Sequence, residues 1–325
     1  MRGLFQPDKH ATRVILKDHP VPKPNFELNE HLIRVYTVAP CAGELLWSAN
    51  YPVPDPQSKV LIPCFDVEGT VMAAPQSSPF KVGEEVYGQT NYYRTGCASE
   101  YTIGRTEELA LKPKSLSWAE AVTVPLSSLT VWQALFTHAG LGGFSPDRYR
   151  GKRMLVTAAS GGVGIWAVQI AKLAGFEVVR TCGPRNVDFV RSLGAAEVLD
   201  YTTTNMREWA ETDVKKVDLV LDCVGKRTLE DTWWAVKEGG VLISISQPPE
   251  QVRPADWSGK AVRNLFFIMV LDGAALMQIS NMIEKVKCRP VLDSVWPLEK
   301  FEDAFKKLAS GHARGKVVID MLARV

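Results

Sequence analysis

The sequence predicts an α/β fold in which a β-rich first domain precedes a doubly wound domain with a parallel six-stranded sheet. Two observations support this prediction. Up to about residue 125, short apolar runs alternate with turn residues and no long helical pattern intervenes, which is typical of a compact, partly barrel-like β domain. From about residue 153, apolar strands alternate with amphipathic helical patterns, which is typical of a doubly wound sheet.

Length, charge and cysteine usage narrow the class of protein. The chain has 325 residues and a net charge of +2, so two domains are expected and no extended nucleic-acid or membrane surface is. The longest apolar run, 265–271, is strand-sized, and the N-terminal residues lack the apolar stretch of a secretory signal. The six cysteines form no C-x-x-C pair. We therefore expect a cytoplasmic protein that acts on a small molecule.

The change from strand to helix patterns begins near residue 117. Ser117 and Glu120 match the S-x-x-E capping box, and an amphipathic helix is predicted over 126–136. A glycine-rich linker then leads to a short apolar strand at 154–156.

A glycine-rich turn follows that strand and organises the second half of the chain. Residues 153–164 read RMLVTAASGGVG, and a helical pattern opens at Ile165, which is the strand–turn–helix layout of a dinucleotide-binding unit. Gly161 would let the backbone approach a pyrophosphate, and Gly164 would let the helix pack close to the strand. The first helical N–H groups would then face the phosphates. Ala159 stands where G-x-G-x-x-G has its first glycine, and a purely structural glycine turn is the alternative.

The remaining strands of the predicted sheet can be placed from apolar runs, at 177–181, 197–199, 218–222, 240–244 and 265–270. A long helix is predicted over 274–286. The C-terminal tail carries a helix at 299–310 and a strand at 316–320 without a βα partner. We expect this tail to return to the first domain.

The end of the second strand predicts which nicotinamide dinucleotide binds. An acidic residue there would hold the ribose 2′-hydroxyl of NAD, but residues 180–186 read RTCGPRN and contain none. Arg185 and the hydroxyl of Thr181 could bind a 2′-phosphate, with Arg180 as a further candidate. The sequence therefore predicts NADPH rather than NADH. For each arginine, a solvated surface charge is the alternative.

Seven motifs give the chain a family resemblance: PCFDVEG at 63–69, FKVGEEVYG at 80–88, LTVWQAL at 129–135, AASGGVG at 158–164, LGAA at 193–196 with Asp200 and Tyr201, DCVG at 222–225 and RGKVV at 314–318. With these motifs the sequence resembles the medium-chain dehydrogenase/reductase superfamily on its zinc-independent, quinone-oxidoreductase-like side. Trans-acting enoyl reductases of polyketide pathways are similar too. The resemblance implies a GroES-like domain over 1–125 plus 292–325, a Rossmann domain over 126–291, and an active-site cleft between them.

The resemblance also implies positions for the site residues. Thr130 should lie beside the nicotinamide, and Tyr51 matches a tyrosine that borders the cleft in quinone reductases; these two are the catalytic candidates. A packed aromatic on a loop is the alternative for Tyr51. The residues implied at the cofactor are Ser160, Gly161, Gly162 and Val163 at the pyrophosphate, Thr181, Arg185 and Tyr201 at the 2′-phosphate, Cys223 and Val224 over the cofactor, Phe267 and Ile268 beside the nicotinamide, and Lys316 reaching it from the tail.

No metal site is predicted. Cys41 and Glu44, in PCAGE, resemble the C-x-x-D segment of the zinc-dependent branch, but residues 65–68 offer no histidine and the five histidines show no ligand spacing. The quinone-reductase form usually has N-P-x-D at this place, and this chain departs from it.

These observations favour an NADPH-dependent, zinc-free reductase of an α,β-unsaturated carbonyl (enoyl or enone) or of a quinone, with a biosynthetic pathway as one setting. Without a metal Lewis acid, alcohol–aldehyde interconversion is less favoured. The reaction needs a hydrogen-bond donor for the developing enolate and a proton source. Two alternatives stay open: a tailoring enzyme of the same fold with cyclase or lyase chemistry, and a nucleotide-binding sensor without turnover. The strand at 265–271 could pair across a dimer axis or be a buried sixth strand, so monomer and homodimer are both expected states.

Overall fold

The computed structural model describes residues 1–57, 59–140, 142–194, 196–257 and 261–322. Its strands, in chain order, are β1 (Arg2–Phe5), β2 (Ile15–Asp18), β3 (Glu30–Ala39), β4 (Asp66–Ala73), β5 (Glu85–Gln89), β6 (Tyr101–Arg105), β7 (Leu109–Leu111), β8 (Arg153–Val156), β9 (Glu177–Cys182), β10 (Glu197–Asp200), β11 (Val217–Asp222), β12 (Val236–Ser244), β13 (Arg263–Phe266), β14 (Leu292–Pro297) and β15 (Lys316–Asp320). Its α-helices are α1 (Trp47–Asn50), α2 (Trp118–Ala121), α3 (Pro125–Gln133), α4 (Gly162–Leu173), α5 (Val187–Ser192), α6 (Met206–Trp209), α7 (Lys226–Ala235), α8 (Gly273–Glu284) and α9 (Phe301–Ala309).

The chain divides into two compact units. Unit 1 comprises Met1–Leu129 and Val270–Val325, and unit 2 comprises Thr130–Met269. The predicted boundaries, at 125/126 and 291/292, differ from this division mainly at the second crossing, because helix α8 falls in unit 1 rather than in the domain of the parallel sheet.

Helix α8 is held in unit 1 by hydrogen bonds to the β-rich part of that unit. The hydroxyls of Tyr87 in β5 and Ser280 in α8 are 2.6 Å apart, and both side chains are buried. The carboxylate of Glu284 accepts a bond of 3.2 Å from the backbone N–H of Ser115. Sequence reasoning assigned α8 by strand–helix alternation alone, and that pattern does not say which sheet an amphipathic helix covers.

Unit 1 contains a seven-stranded sheet with the order β14-β15-β3-β4-β5-β7, and β6 also pairs with β3. Strand β15 pairs antiparallel with β3, opposing Ile319 to Val38. Buried side chains from both ends of the chain, including Leu4, Val38 and Val317, form one core. The prediction that the C-terminal tail returns to the first domain is confirmed.

Unit 2 contains a six-stranded sheet in the order β10-β9-β8-β11-β12-β13, and every neighbouring pair is parallel. The predicted doubly wound parallel sheet is confirmed. Strands β8, β9 and β10 follow one another towards one edge of the sheet, and β11, β12 and β13 follow one another towards the opposite edge. The strand order therefore reverses between β8 and β11. In such sheets ligands bind outside the carboxyl ends of the strands at this switch point.

The helices of both units are short, and their beginnings follow local sequence rules. The capping box predicted at Ser117 is present, because its side chain accepts from the backbone N–H of Glu120 while the Glu120 carboxylate accepts from Ser117. Helix α3 is followed by a π-helical turn at Ala134–His138. Within the described residues, no helix is long and apolar enough to cross a membrane.

Candidate functional site

The glycine-rich turn after β8 has the geometry that an anion cradle needs. Helix α4 begins at Gly162, and its capping residue, Gly161, has no side chain to accept the N–H groups of the first turn. A Cβ built on Gly161 would have Ala158 O, at 3.3 Å, as its one neighbour within 4 Å. Unpartnered N–H groups at a helix N-terminus favour a phosphate. The turn, with Ser160, Gly162 and Val163 around Gly161, therefore fits a dinucleotide pyrophosphate.

Gly164 has a different role from Gly161. A Cβ on Gly164 would lie 2.4 Å from the carbonyl oxygen of Ala158 and 2.6 Å from the Cα of Ala159. Ala158 itself has a φ of +49°, so the turn is already tight where the helix passes over it. Close helix–turn packing, rather than ligand contact, explains this glycine.

A buried carboxylate joins the carboxyl ends of three neighbouring strands beside this turn. The hydroxyl of Thr157, after β8, donates to Asp222 Oδ1 in β11 at 2.9 Å and accepts from the backbone N–H of Cys223 at 2.8 Å. Asp222 Oδ2 accepts from the N–H of Gly225 at 2.7 Å and from the hydroxyl of Ser244, in β12, at 3.2 Å. Burial raises the pKa of Asp222 against these bonds, which lower it.

Sequence reasoning gave Asp222 no role, although it quoted the motif DCVG. The signal in the sequence was an acidic residue at the end of an apolar strand, three positions before Gly225. In the structure Gly225 has a φ of +81°, which turns the chain after the strand. Asp222 fixes the path of the backbone at Cys223 and Val224, both of which were predicted to lie over the cofactor. Cys223 is partly buried and Val224 is exposed.

The ends of β9 and β10 bring together residues that were predicted at the 2′-phosphate. The carbonyl of Thr181 accepts a bond of 2.9 Å from the N–H of Ala159, so the end of β9 lies against the glycine-rich turn. Asn186 Nδ2 donates to Ser160 Oγ at 3.1 Å. Tyr201 follows β10, and its hydroxyl is 3.3 Å from a Cβ built on Gly183. Arg185 lies in the short turn Pro184–Asn186 between these groups.

Arg180 is not at the end of the strand with these residues. Its side chain is fully buried, and its guanidinium donates to the carbonyls of Val190, at 3.0 Å, and Glu197, at 3.4 Å. Burial lowers its pKa to about 10. Arg180 therefore stabilises the C-terminal turn of α5, and the suggestion that it binds the 2′-phosphate is wrong.

The other residues predicted in unit 2 also lie where parallel strands end or in α3. Phe267 and Ile268 follow β13; the Phe267 ring is buried with its centroid 4.4 Å from that of His138, and Ile268 is exposed. Thr130 is buried in α3. Their contacts with a nicotinamide remain predictions.

A buried ionic cluster lies in unit 1 at the first residues of β4 and β15. The ammonium of Lys316 donates to Asp66 Oδ2 at 3.0 Å and to Cys41 Sγ at 3.1 Å. Asp66 Oδ1 accepts from the backbone N–H of Leu126 at 2.8 Å. Both charged side chains are buried, with 6% of Lys316 and none of Asp66 exposed. Burial alone would lower the pKa of Lys316, but the neighbouring Cys41 and Asp66 groups raise it above its usual value.

Glu44 fixes the loops on which this cluster rests. Its carboxylate accepts from the backbone N–H of Cys41, at 2.9 Å, and from that of Cys64. Cys64 has a φ of +63°, an uncommon conformation for a residue with a side chain, and the bond to Glu44 helps to hold it. Burial raises the pKa of Glu44 to about 7 and the pKa of the Cys41 thiol to about 12.

Aromatic side chains surround a second buried lysine, Lys59, which sequence reasoning missed. The Lys59 ammonium donates to the carbonyl of Tyr92 and lies 3.6 Å from the centroid of the Tyr92 ring. Phe65 and Trp47 pack around the same ring. Lys59 also shares a cavity of about 10 Å³ with Glu44, room for about one water molecule. Tyr51, the predicted hydrogen-bond donor, is 41% exposed, and its carbonyl accepts from the Tyr92 hydroxyl at 2.9 Å.

Three relatives and one solved structure establish the family. Residues 193–319 match the family model described as zinc-binding dehydrogenase. The chain is 49% identical to a probable zinc-binding oxidoreductase, mitochondrial, of Arthroderma benhamiae, with 97% of this chain and 95% of the relative covered. It is 36% identical to the chloroplast envelope quinone oxidoreductase homolog of Arabidopsis thaliana, with coverage of 82% and 81%. It is 32% identical to the mitochondrial NAD(P)H oxidoreductase RTN4IP1 of Mus musculus, with coverage of 79% and 69%.

The structural comparison agrees with these relatives. The structure of an NAD-dependent alcohol dehydrogenase is similar to this chain with a TM-score of 0.81 and 26% identity over 99% of this chain and 100% of that one. These relatives, with the fold they share with this chain, define an oxidoreductase that uses a nicotinamide cofactor. The chain belongs to the medium-chain dehydrogenase/reductase superfamily, on its quinone-oxidoreductase-like side, and its two units have the GroES-like and Rossmann folds of that superfamily.

The names of the family model and of the Arthroderma relative imply a zinc ion, but the donors in this chain do not fit one. Protein zinc sites need at least three ligands in a tetrahedral arrangement, and in the described ranges no three His, Cys, Asp or Glu side chains are grouped to hold a metal. Where Cys41 and Asp66 approach each other, the Lys316 ammonium lies between them. Phe65 precedes Asp66 and offers no ligand atom.

The two glycines of the turn should respond differently to substitution. Gly164→Ala should lower the free energy of unfolding by about 1–3 kcal/mol, because its Cβ overlaps Ala158 and Ala159. Gly161→Ala should cost less than about 1 kcal/mol but weaken binding of the dinucleotide, because the methyl group occupies the cradle. Chemical denaturation and a fluorescence titration with NADPH measure both. Unchanged nucleotide affinity in Gly161→Ala would contradict the cradle.

The stability of unit 1 should depend on the ionisation of Lys59. Burial lowers the pKa of Lys59 to about 8 from 10.5, so the unfolded chain binds more protons between these values. The Lys59 contribution to the free energy of unfolding should therefore rise as pH increases from 8 to 10.5, with the full penalty present below pH 8. Buried thiols such as Cys41 and Cys97, whose pKa burial raises to about 12, act in the opposite direction in wild type and variant alike. The free energy of unfolding of the wild type minus that of Lys59→Met should therefore increase over this range, which measures the Lys59 contribution. Lys23→Met, at an exposed lysine, is the control and should keep it.

Proposed function

We propose that this protein is an NADPH-dependent, zinc-free reductase of an α,β-unsaturated carbonyl compound or a quinone. One observation carries the proposal: the Lys316 ammonium lies between Cys41 and Asp66, where the zinc-dependent branch of the family would need free ligands. A reductase without a metal Lewis acid favours substrates whose own conjugation accepts a hydride. The name of the Arabidopsis relative, a quinone oxidoreductase homolog, is consistent with this class.

The end of β9 supports the choice of NADPH. No carboxylate occurs in residues 180–186, and Arg185 lies in the turn beside Ser160 and Tyr201. One carboxylate is nearby, however: Asp200 at the end of β10 lies opposite Cys182 in the sheet register. Its Oδ1 accepts from the N–H and the hydroxyl of Thr202, at 2.9 and 2.7 Å. We propose that these bonds hold the Asp200 carboxylate in its own turn, away from a 2′-phosphate.

We propose the following roles for the chain's own residues. When bound, NADPH supplies the hydride. Residues 160–163 hold the pyrophosphate, and Thr130, Phe267 and Ile268 orient the nicotinamide ring. Tyr51 donates a hydrogen bond to the developing enolate. Aromatic side chains around Tyr92, together with the exposed rings of Tyr51 and Tyr93, offer flat apolar surfaces that suit a planar conjugated substrate.

The oligomeric state, the binding partners and the cellular location of the protein are part of the same proposal. We propose a small-molecule substrate, no nucleic-acid or membrane partner, and a monomer or homodimer. Cytoplasmic location is a prediction from the scattered cysteines, whereas the names of the Arthroderma and mouse relatives say mitochondrial.

A turnover assay tests the reductase. The purified protein is mixed with NADPH and a panel of enones, enoyl thioesters and quinones, and the reduced-nicotinamide absorbance is followed. We expect oxidation of NADPH with at least one panel member, unchanged by a chelator, and a lower kcat in Tyr51→Phe. Tight binding of NADPH without oxidation across the panel would instead support cyclase or lyase chemistry or a sensor. Absence of NADPH binding would reject the reductase and the sensor alike.

Recognition of the 2′-phosphate should depend on Arg185. A hydrogen bond to a charged group contributes about 1.5–3 kcal/mol, so Arg185→Ala should weaken NADPH binding roughly tenfold to hundredfold and leave NADH binding nearly unchanged. Arg191→Ala is the matched control, since Arg191 pairs with Asp188 on the exposed side of α5. Isothermal titration with both dinucleotides measures the difference. Equal losses for NADPH and NADH would place 2′-phosphate recognition elsewhere.

A further inference from the structure

We propose that Cys41 and Asp66 form a cation-binding site whose permanent occupant is the side chain of Lys316. The ammonium nitrogen lies 3.0 Å from Asp66 Oδ2 and 3.1 Å from Cys41 Sγ. The site therefore consists of a carboxylate, a sulfur and a cation that the chain itself supplies. This inference rests on the proposed function and deepens its metal-free chemistry, because it states which cation the two donors bind and what would bind if Lys316 were shortened.

The two donors are held in place independently of Lys316. The second oxygen of Asp66 accepts from the N–H of Leu126 at 2.8 Å, and Asp66 opens β4, where it pairs with Ala39 and Gln89. Cys41 is fixed through its backbone, whose N–H donates to Glu44 at 2.9 Å. Shortening Lys316 should therefore leave both donors where they are, with a gap of the shape of an alkylammonium ion between them.

Charge makes the gap selective for cations. Asp66 has no exposed surface and Lys316 is its ion-pair partner. A buried carboxylate that loses the cation paired with it is destabilising, because it must either keep a charge that is neither paired nor hydrated or take up a proton, and burial already raises the pKa of Asp66. Glu44, whose carboxylate is bound to the N–H groups of Cys41 and Cys64, adds a second buried acid close by. A cation that enters the gap and suits both donors should recover part of the lost stability.

The donor types predict which cations would enter. A primary alkylammonium ion reproduces the two hydrogen bonds of Lys316. A soft or borderline divalent ion is suited to sulfur with carboxylate, whereas magnesium and calcium prefer oxygen ligands alone. When Cd²⁺ binds, the S–H bond of Cys41 breaks, its proton is released to solvent and a sulfur–cadmium bond forms. With two protein ligands, water must complete the coordination, so Cd²⁺ should bind more weakly than at a site with three or four.

Variants of Lys316 test this inference directly. Lys316→Ala should melt roughly 5–15 °C below the wild type, and both ethylammonium chloride and CdCl₂ should recover part of the difference, beyond the effect of NaCl at equal ionic strength. Cd²⁺ should also give Lys316→Ala an ultraviolet thiolate-to-cadmium charge-transfer band that the wild type lacks. Lys316→Met, which refills the gap with an uncharged chain, should show neither recovery nor band.

Two double variants identify the donors. Adding Cys41→Ser to Lys316→Ala should abolish the cadmium band while recovery by ethylammonium persists in part. Adding Asp66→Asn should abolish recovery by ethylammonium, since the buried charge is gone. If Lys316→Ala does not fold, its refolding yield with and without ethylammonium replaces the melting temperature, and an increase supports the site.

Three outcomes would overturn the inference: a Cys41-dependent cadmium band in the wild type, equal cation responses in Lys316→Ala and in the double variant with Asp66→Asn, or no effect of either cation on the stability or refolding of Lys316→Ala. These readouts use neither NADPH nor a reducible substrate. Failure of the reductase assay would therefore leave the cation site standing, whereas failure of the cation experiments would remove the argument for zinc-free chemistry and leave the turnover assay to decide whether the protein is a reductase.

Discussion

The buried ion pair between Lys316 and Asp66 joins residues 250 positions apart in the chain, and unit 1 is organised around this contact. Lys316 opens β15 and Asp66 opens β4, and β3 lies between those strands in the sheet. Because the pair is almost completely removed from water, its desolvation must be offset by well-placed bonds. The bonds of Asp66 to Leu126 and of Lys316 to Cys41 meet this requirement. The pairing of β15 with β3 and the ion pair therefore depend on each other.

The buried carboxylate of unit 2, Asp222, has a different kind of partner. Asp222 is also fully buried, but its partners are neutral: two hydroxyls, from Thr157 and Ser244, and backbone N–H groups. Neutral donors place no cation on Asp222 itself, so the groups that can attract an anion at this edge of the sheet are the N–H groups of helix α4 and, after β9, Arg185. In unit 1 the ammonium of Lys316 neutralises Asp66. In unit 2 the hydrogen bonds of Asp222 instead position the backbone of the loop that follows β11.

Patterns among neighbouring residues allowed much of the fold, but less of the candidate site, to be predicted from the sequence. The capping box at Ser117 and the strand–turn–helix at 153–164 depend on neighbouring residues, so the sequence reveals them. The unit to which α8 belongs depends on Tyr87, almost 200 positions away, and no periodicity encodes it. Arg180 was suggested as a phosphate ligand because the sequence shows an arginine close to the end of a predicted strand, whereas the carbonyls of Val190 and Glu197 that accept from its guanidinium are distant in sequence. Lys59 belongs to none of the sequence motifs. Its burial against Tyr92, in a cavity that Glu44 also lines, is what identifies it as a candidate site residue.

The ammonium of Lys316 and a metal ion are both cations, but they act differently on a carbonyl. A zinc ion with an open position accepts the carbonyl oxygen as a ligand and draws electrons from it. An ammonium offers three N–H bonds, and Lys316 directs two of them to Asp66 and Cys41, close to 3 Å each. Its positive charge is thus already compensated by Asp66. Under the proposed function, this ammonium therefore does not replace zinc as the group that polarises a carbonyl, and the proposed substrate supplies the electron demand itself. A conjugated enone or a quinone meets that demand, because the incoming negative charge is delocalised onto an oxygen that a neutral donor can stabilise.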